Sequence, residues 1–287
     1  MLLWTTDSHL NFLRRDDGAF LFAQCLAEEN PDADGLIITG DISSGEVLEK
    51  HLTQLSQGFL KPIFFVLGNH DYYESSFQKT DDLVTGLTKK FENLHWLNQG
   101  SHICKGISIV GVCGWYDLRH GNTRTHVRIH DFTAIEDLWA GRSFLDLAIE
   151  LSRKRAVKEA ERLDELLFEE VCNVDSDVVL IATHVSPYPE SCWHEGRRSD
   201  RDWMPWFSSH ATGEVIDKYA ENHPAKKFVV LCGHGHSPGI YERRDNLVVY
   251  TGAAKYYFPE LAGKIDTEAG QIEVLDSSGK KANRSFP

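Results

Sequence analysis

Residues 63–71 read IFFVLGNHD, an apolar run that passes directly into glycine and polar residues. The run is β-branched, aromatic and aliphatic, which predicts a buried strand over 63–67. It ends in a glycine, an amide, an imidazole and a carboxylate, namely Gly68, Asn69, His70 and Asp71. In open α/β sheets, ligands bind just beyond the carboxyl ends of the strands. The stretch therefore predicts a strand of such a sheet with a functional position at its end.

Other apolar runs end in the same kind of residue. Strands are predicted over 2–6, 36–39, 178–183 and 228–232, with further strands over 107–113 and 247–251. The first four are followed by Asp7, Ser8 and His9, by Gly40 and Asp41, by His184, and by Gly233, His234, Gly235 and His236. If the strands are parallel, their carboxyl ends lie at one edge, and we expect these loops to converge there.

Helical patterns alternate with the first strands, over 17–30, 44–59 and 76–93. This order indicates parallel strands joined by right-handed crossovers. Residues 133–172 are charged and predicted to be helical, with an apolar face formed by Leu163, Leu166, Leu167 and Val171. Residues 264–275 are typical of an antiparallel hairpin, and 277–287 of a loose tail. No boundary interrupts the chain, so we expect a single domain over 1–287 with a helical, cap-like insertion around 119–172.

Composition limits the class of protein. The chain has 287 residues and a formal net charge of -13, which argues against binding to the nucleic-acid backbone. It contains no apolar run of the roughly 20 residues that a membrane helix needs, and its start lacks the basic residues of a signal peptide. Six scattered cysteines form no C-x-x-C pair, which is typical of reduced thiols. We therefore expect a cytoplasmic protein without membrane partners; the oligomeric state stays open.

Taken singly, these polar residues are weak indicators. A Gly-Asp pair after a strand is common in turns, and a lone histidine such as His184 is usually structural. The combination is more specific, because carboxylates, an amide and imidazoles follow successive strands. Such a set of oxygen and nitrogen donors predicts a metal site.

The set as a whole resembles the ordered signature of the calcineurin-like metallophosphoesterases. It comprises D-x-H at 7–9, G-D at 40–41, G-N-H-D at 68–71, the strand-final His184 and G-H-x-H at 233–236. The resemblance implies a four-layer α/β/β/α sandwich of two mixed sheets flanked by helices. It also implies two divalent transition metal ions, manganese, iron, zinc or nickel. The family often has Thr or Ser where this chain has Gly235, and Ser where it has Thr6.

The resemblance also implies a role for each residue. One ion would be held by Asp7, His9 and His236, and the other by Asn69, His184 and His234, with Asp41 bridging both. A hydroxide bridging the ions would attack the phosphorus, while His70 donates a proton to the leaving oxygen. Asp71 would hold the His70 ring, although a purely structural turn carboxylate is the alternative.

The charge balance suits a phosphate ester. Two dications bring four positive charges. Asp7, Asp41 and a hydroxide neutralise three of them, and the imidazoles and the amide carry no charge. The remaining positive charge attracts an anionic substrate. The ions would also clamp the attacking and leaving oxygens.

Two segments bear on the substrate. Residues 185–207 carry Trp193, Arg197, Arg198, Arg201, Trp203 and Trp206 and could border the site, as could Tyr72, Tyr73, Trp115 and Tyr116. These residue types favour a small nucleotide or sugar phosphate, although a loop packed by its own tryptophans is at least as consistent with them. Residues 119–130, with His120, His126 and His130, form either a solvated loop or a further metal or phosphate site. The alternative functions are a protein Ser/Thr phosphatase and a catalytically silent partner-binding module.

Overall fold

The structure is a computed structural model that describes residues 1–139, 145–173, 176–266 and 271–274. The strands are β1 Leu2–Thr5, β2 Gly35–Thr39, β3 Ile63–Val66, β4 Leu94–Trp96, β5 His102–Cys104, β6 Ile107–Gly111, β7 Val178–Ala182, β8 Trp193–His194, β9 Arg197–Arg198, β10 Lys227–Cys232, β11 Gly239–Arg244, β12 Leu247–Thr251, β13 Gly263–Asp266 and β14 Gln271–Val274. The helices are α1 Gly18–Glu29, α2 Leu48–Gly58, α3 Phe77–Lys90, α4 Asp131–Ala134, α5 Glu136–Trp139, α6 Leu145–Asn173, α7 Met204–Phe207 and α8 His210–Asn222.

The first sheet has the order β14-β13-β1-β2-β3-β4. Its strands β1 to β4 are parallel. At one side, β13 pairs antiparallel with β1, and β14 pairs antiparallel with β13. Trp4 pairs with Ile37, and Ile37 pairs with Phe64, so β1, β2 and β3 run in step. Their carboxyl ends consequently reach the same edge of the sheet.

The second sheet has the order β11-β12-β10-β7-β6-β5. Its four central strands are parallel, and β5 and β11 are antiparallel at the two edges. Ile181 of β7 lies between Val110 of β6 and Val230 of β10, which brings the ends of β7 and β10 to a common edge.

Alternating side chains of the strands build three apolar cores. Trp4 and Phe64 of the first sheet pack with Ile109 and Leu231 of the second, which forms the core between the sheets. The outer face of the first sheet, including Leu3, Ile38 and Phe65, packs against α1, α2 and α3. The outer face of the second sheet packs against α6 and α8 through Leu163, Leu166, Leu167, Val171, Ile216 and Tyr219. The four-layer α/β/β/α sandwich predicted from the sequence is thereby confirmed.

The predicted strands and the first three helices lie within a few residues of the observed ones. The helical region predicted over 133–172 is divided into α4, α5 and α6, and residues 140–144 lie outside the described residues. The predicted hairpin corresponds to β13 and β14, whereas its turn and the tail at 277–287 lie outside the described part. None of the described helices combines the length and the apolar character that crossing a bilayer requires.

Sequence patterns did not indicate β4, β5, β11, α7 or α8. The edge strands lack a clear strand pattern in the sequence. β4 and β5 have only three residues each, and β11, with the sequence GIYERR, is charged. Helix α8 follows Ser209, whose side chain accepts a hydrogen bond from the backbone N–H of Thr212, a normal N-cap.

Candidate metal centre

The loops after β1, β2, β3, β7 and β10 meet where the carboxyl ends of the two sheets adjoin. Their donor atoms form two groups within which all atoms lie within 4.8 Å of one another. The groups are Asp7, His9, Asp41 and His236, and Asp41, His184 and His234. Asp41 belongs to both groups. Asn69 adjoins the second, because its Oδ1 lies 3.0 Å from His184 Nε2.

A left-handed backbone places many of these side chains. The φ angles of Asp7, His9, Asp41, His234 and His236 are 46°, 41°, 50°, 67° and 58°. Residues other than glycine rarely adopt this region, and each such strain costs on the order of 1–3 kcal/mol. Strained positions persist only where the surrounding structure stabilises them, and they are concentrated at functional sites.

Glycines let the loops approach one another closely. A Cβ at Gly68 would lie 2.2 Å from Asp41 Oδ1, and a Cβ at Gly233 would lie 2.1 Å from Asp7 Oδ2. The close approach allows backbone N–H groups of these loops to donate hydrogen bonds to the two carboxylates. His70 N donates to Asp41 Oδ1 at 2.9 Å, and His234 N donates to Asp7 Oδ1 at 3.0 Å. Both carboxylates are therefore fixed by the backbone of another strand's loop.

Gly235, where the signature often has Thr or Ser, also has a neighbour that requires a glycine. A Cβ at this position would lie 2.0 Å from the carbonyl oxygen of Trp193. The adjacent His194 forms a bridge with His236, and its Nδ1 lies 3.2 Å from the carbonyl oxygen of Gly235. The tryptophan-rich loop thus packs directly on the segment that holds the last two histidines.

Backbone carbonyl groups orient the rings of His184 and His234. His184 Nδ1 lies 2.9 Å from the carbonyl oxygen of Thr39, and His234 Nε2 lies 3.1 Å from that of Trp206. A carbonyl oxygen only accepts hydrogen bonds, so each of these nitrogens carries a proton. Burial lowers the pKa of both rings, to about 3 for His234, so each ring is neutral with a lone pair on its other nitrogen.

Those two lone pairs face each other and two further acceptors. His184 Nε2 lies 3.1 Å from His234 Nδ1 and 3.3 Å from Asp41 Oδ1, in addition to its approach to Asn69. Acceptors at these distances repel one another unless a cation lies among them. Two nitrogens bound to one tetrahedral zinc ion, each at about 2.0–2.1 Å, are about 3.3 Å apart. The donor set therefore fits a divalent metal ion.

The first group has a similar arrangement. His9 Nε2 lies 3.2 Å from His236 Nε2 and 3.7 Å from Asp41 Oδ2, and His236 Nε2 lies 3.2 Å from Asp7 Oδ1. His9 Nδ1 is buried without a hydrogen-bond partner among the described residues. The His9 ring is positioned by packing instead, since the ring of Tyr256 lies 4.5 Å away between centroids. These residues also suit a mixed nitrogen and oxygen coordination sphere.

The pKa values of the two carboxylates are shifted in opposite directions. Burial opposes ionisation of Asp7, but His236, His184 and His9 outweigh it and lower the pKa of Asp7. Burial and the negative charges of Asp7 and Asp71 raise the pKa of Asp41 well above its ordinary value. A cation bound beside Asp41 would lower this pKa, because it favours the ionised carboxylate.

His70 and Asp71 lie beside the metal ligands but have separate surroundings. His70 Nε2 lies 3.8 Å from Asp41 Oδ2, and its ring stacks on that of Tyr73 at 4.2 Å between centroids. Burial and the neighbouring histidines lower the pKa of His70 to about 2. The side chain is 22% exposed, so it can reach a bound substrate.

The carboxylate of Asp71 accepts from the backbone amides of Gly68, Ser43 and Ile42 at 2.8, 2.8 and 3.3 Å. Burial raises its pKa to about 7, although these amides oppose the shift. The expected contact with the His70 ring is not among its described hydrogen bonds. These three backbone partners correspond to the structural alternative, a carboxylate that stabilises the turn.

One buried carboxylate near the site was not found from the sequence. Asp131, the first residue of α4, accepts from Asn69 Nδ2 at 2.9 Å and from the hydroxyl groups of Tyr73 and Tyr116 at 2.7 and 2.9 Å. Burial raises its pKa, although these hydrogen bonds oppose the shift. No strand or glycine-rich motif precedes this position, so nothing in the local sequence marked it.

A cavity of about 270 Å³ opens at the metal centre. Its lining residues are Asp41, Asn69, His70, Tyr73, Arg128, Ile129, His130, Asp131, His194, Trp203, Trp206, Phe207, His234, His236 and Tyr256. The loop at 185–207 therefore borders the site through Trp203 and Trp206, as considered from the sequence. The sequence analysis did not identify four further lining residues. They are His194 and Phe207 of this loop, and Arg128 and Tyr256 outside it.

Other candidate residues lie elsewhere. Arg197, Arg198 and Arg201 are exposed and do not line this cavity, and Trp193 is buried. Tyr72, Trp115 and Tyr116 are fully buried in the core. In the described part of the chain, neither group of candidate metal ligands includes His120, His126 or His130. Whether 119–130 is a solvated loop or a further metal or phosphate site stays a prediction, while Arg128 and His130 line the cavity.

Comparisons with known proteins agree with this architecture. A family model described as calcineurin-like phosphoesterase matches residues 2–238. Phosphopantetheinyl hydrolase from Mycobacterium tuberculosis is 18% identical with a TM-score of 0.58, covering 89% of each chain. The protein TT1561 from Thermus thermophilus is 16% identical with a TM-score of 0.54, covering 96% of this chain and 97% of its own.

A dimetal phosphatase from Danio rerio is 14% identical with a TM-score of 0.52, covering 90% of this chain and 88% of its own. At these identities the similarity shows a shared fold and no more. No curated protein sequence matches the chain significantly.

Proposed function

Since the chain belongs to the calcineurin-like phosphoesterase family, we propose that it hydrolyses a small phosphomonoester or phosphodiester with two bound metal ions. The observation that carries this proposal is the lone pair of His184 Nε2, which faces the lone pair of His234 Nδ1 at 3.1 Å and the oxygen Asn69 Oδ1 at 3.0 Å. A buried arrangement of this kind is costly without a cation.

We assign one ion to Asp7, His9 and His236 and the other to Asn69, His184 and His234, with Asp41 shared. Nitrogen and oxygen donors together suit manganese, iron, zinc or nickel. When bound, such ions supply Lewis acidity toward phosphoryl oxygens and toward a water molecule that attacks the phosphorus.

Within this proposal, His70 is the proton donor. Its Nε2 faces the metal centre near Asp41, and its side chain is accessible from the cavity. The low pKa of the ring favours the neutral form, and an anionic substrate would raise that pKa by favouring the charged imidazole. The ring can then donate a proton to the leaving oxygen.

The cavity favours a small substrate. A volume of about 270 Å³ lies just below the roughly 300–1,000 Å³ that is usual for ligand pockets. Trp203 and Tyr256 are 38% and 41% exposed, so their rings can pack on a base or a sugar. Arg128 and His130 supply donors for an anionic group. A nucleotide or sugar phosphate fits these features best.

Two alternatives have less support. A protein phosphatase needs a groove for an extended peptide, whereas Trp203, Phe207 and Tyr256 surround a cavity here. A silent binding module would be expected to lack a ligand or His70, and the chain retains all of them. We also keep the proposal of a single domain with an insertion around 119–172, a segment that supplies Arg128 and Asp131 to the site.

The test begins with protein that has been stripped of metal and reloaded with Mn²⁺. Bound metal is counted by mass spectrometry, and hydrolysis is measured for nucleoside monophosphates, cyclic nucleotides, sugar phosphates, bis-p-nitrophenyl phosphate and a phosphopeptide. We expect two ions per chain and the fastest turnover among small esters. Asp41→Asn should lose both ions, whereas Asp16→Asn, on a side chain that is 96% exposed, should keep them. Full metal occupancy without hydrolysis of any ester would favour the binding module.

A further inference from the structure

We propose that Asp131 is a positioning residue that fixes the amide of Asn69 with its oxygen toward the metal centre. This inference rests on the metal site proposed above. It concerns a residue outside the sequence signature, contributed by helix α4 in the segment after β6 rather than by a strand end.

The carboxylate of Asp131 accepts three hydrogen bonds from neighbouring side chains. The residue is 2% exposed, and its Oδ1 accepts from Asn69 Nδ2 at 2.9 Å and from the Tyr73 hydroxyl at 2.7 Å. Its Oδ2 accepts from the Tyr116 hydroxyl at 2.9 Å. None of these three partners is a cation, so Asp131 is stabilised by neutral donors. A buried carboxylate with three donors strongly prefers to receive hydrogen bonds at each of them.

The acceptor decides which end of the amide faces the ions. A side-chain amide presents an oxygen on one side and two N–H donors on the other. With Nδ2 held by Asp131, Oδ1 must point to His184 Nε2, which lies 3.0 Å away. The reverse orientation would place the amide oxygen against the carboxylate and the N–H groups toward the cation. Both contacts would then be repulsive.

The same carboxylate also supports the proton donor. The Tyr73 hydroxyl that bonds to Asp131 belongs to the ring on which His70 stacks, with centroids 4.2 Å apart. Asp131 therefore fixes one side chain that would bind metal and one ring that supports His70. Residues of this kind typically change metal affinity or activity by about 10- to 100-fold when they are replaced.

Two replacements of similar size separate this role from a purely structural one. Asp131→Leu removes both carboxylate oxygens and leaves the Tyr73 hydroxyl, 3.2 Å from Asn69 Nδ2, as the weaker remaining acceptor. Asp131→Asn keeps an oxygen for Asn69 Nδ2, while its new amide group can donate to the Tyr116 hydroxyl oxygen. We expect calorimetric titration with Mn²⁺ to show one of two sites weakened about 10- to 100-fold by Asp131→Leu, and less than about threefold by Asp131→Asn.

A double-mutant cycle identifies the path of the effect. Asn69→Leu removes the ligand itself and should weaken the same Mn²⁺ site. If Asp131 acts through Asn69, adding Asp131→Leu in that background should cause little further loss of affinity. If Asp131→Leu does not fold when metal-free, Asp131→Ser replaces it in the cycle, with the same expected order.

Three results would overturn the inference. They are unchanged Mn²⁺ binding by Asp131→Leu, equal losses for the Leu and Asn variants, and additive losses in the double mutant. Because the readout is metal affinity, it does not depend on catalysis. If the wild type binds two Mn²⁺ ions but hydrolyses no ester, the proposed function fails while the role of Asp131 is still decided.

Discussion

The ring of Tyr256 lies over the ring of His9, with centroids 4.5 Å apart and an interplanar angle of 34°. The same tyrosine contacts His236 and Phe12, with centroid distances of 5.0 and 5.1 Å. It is 41% exposed and lines the cavity. Tyr256 therefore packs on two of the proposed metal ligands and also lines the cavity beside them.

We expect Tyr256→Ala to raise KM for a nucleoside monophosphate more than it lowers kcat. Loss of stacking on a base costs about 1–3 kcal/mol, which corresponds to about 5- to 150-fold in affinity. Steady-state kinetics with Mn²⁺-loaded protein measure both constants. The matched control is Tyr257→Ala, since Tyr257 is 56% exposed, contacts Phe12 and does not line the cavity. Equal KM values for the two variants would show that Tyr256 does not contact the substrate.

Replacement of His70 and Asp71 should separate catalysis from loop stability. His70→Ala should keep both metal ions and lose about 10²- to 10⁴-fold in kcat, because a proton donor typically contributes this much. Asp71→Asn should chiefly lower the free energy of unfolding, because one amide cannot accept from all the backbone N–H groups of Gly68, Ser43 and Ile42.

Urea unfolding and turnover, measured on the same preparations, check this pair. A His70→Ala variant with wild-type turnover would remove His70 from the mechanism. Conversely, an Asp71→Asn variant of normal stability that loses as much kcat as His70→Ala would restore Asp71 as the residue that orients the ring.

The positions of the proposed ligands could be predicted from sequence because each of them lies in a loop directly after a strand. The apolar run of β3 and the residues Gly68 and Asn69 are local signals, and parallel pairing alone brings such ends together. The partner of Asp71 could not be predicted in this way. Adjacency in sequence to His70 does not determine where a side chain points, and two of its amide partners come from the neighbouring loop after β2.

The roles of residues that lie outside periodic sequence patterns could not be predicted either. Asp131 lies in a four-residue helix, and Tyr256 lies in a segment without regular structure. Their roles arise from long-range contacts, between Asp131 and Asn69 and between Tyr256 and His9. No propensity or spacing rule encodes such contacts, whereas burial and hydrogen bonding in the folded chain make them evident.

Gly235 provides a test of how the tryptophan-rich loop packs on the metal centre. We expect Gly235→Thr, which introduces a residue frequent in the family, to destabilise the protein. Its Cβ would lie 2.0 Å from the Trp193 carbonyl oxygen, and overpacking of this kind typically costs about 1–3 kcal/mol. Thermal unfolding should show a lower midpoint, accompanied by weaker Mn²⁺ binding because His234 and His236 flank the position.

A glycine with open space serves as the control. Gly86 lies within α3, and a Cβ there would meet no atom within 4 Å. Gly86→Ala should therefore stabilise the protein, by up to about 1 kcal/mol. If Gly235→Thr unfolds at the same temperature as the wild type, the loop must move away from residue 235 without cost, and the packing argument is wrong.

A buried histidine outside the metal centre predicts loss of stability in acid. His51 of α2 is 7% exposed, and its Nδ1 lies 2.6 Å from the hydroxyl oxygen of Ser43. Burial, aided by the charge of Lys50, lowers its pKa from 6.5 to about 4. The unfolded chain therefore takes up this proton near pH 6.5, and the folded chain only near pH 4. Between these values the unfolded state binds more protons, so the free energy of unfolding falls as the pH falls.

The measurement is urea unfolding of the metal-free protein at about pH 7 and about pH 5, followed by circular dichroism. His51→Gln removes the titrating group and keeps a hydrogen-bonding side chain for Ser43, so its stability should fall less between the two pH values. His126→Gln, at an exposed position, should behave as the wild type does. Since other histidines, such as the half-buried His102, also have a lowered pKa, the variant should keep part of the pH dependence. An identical loss in wild type and His51→Gln would mean that His51 does not titrate differently in the two states.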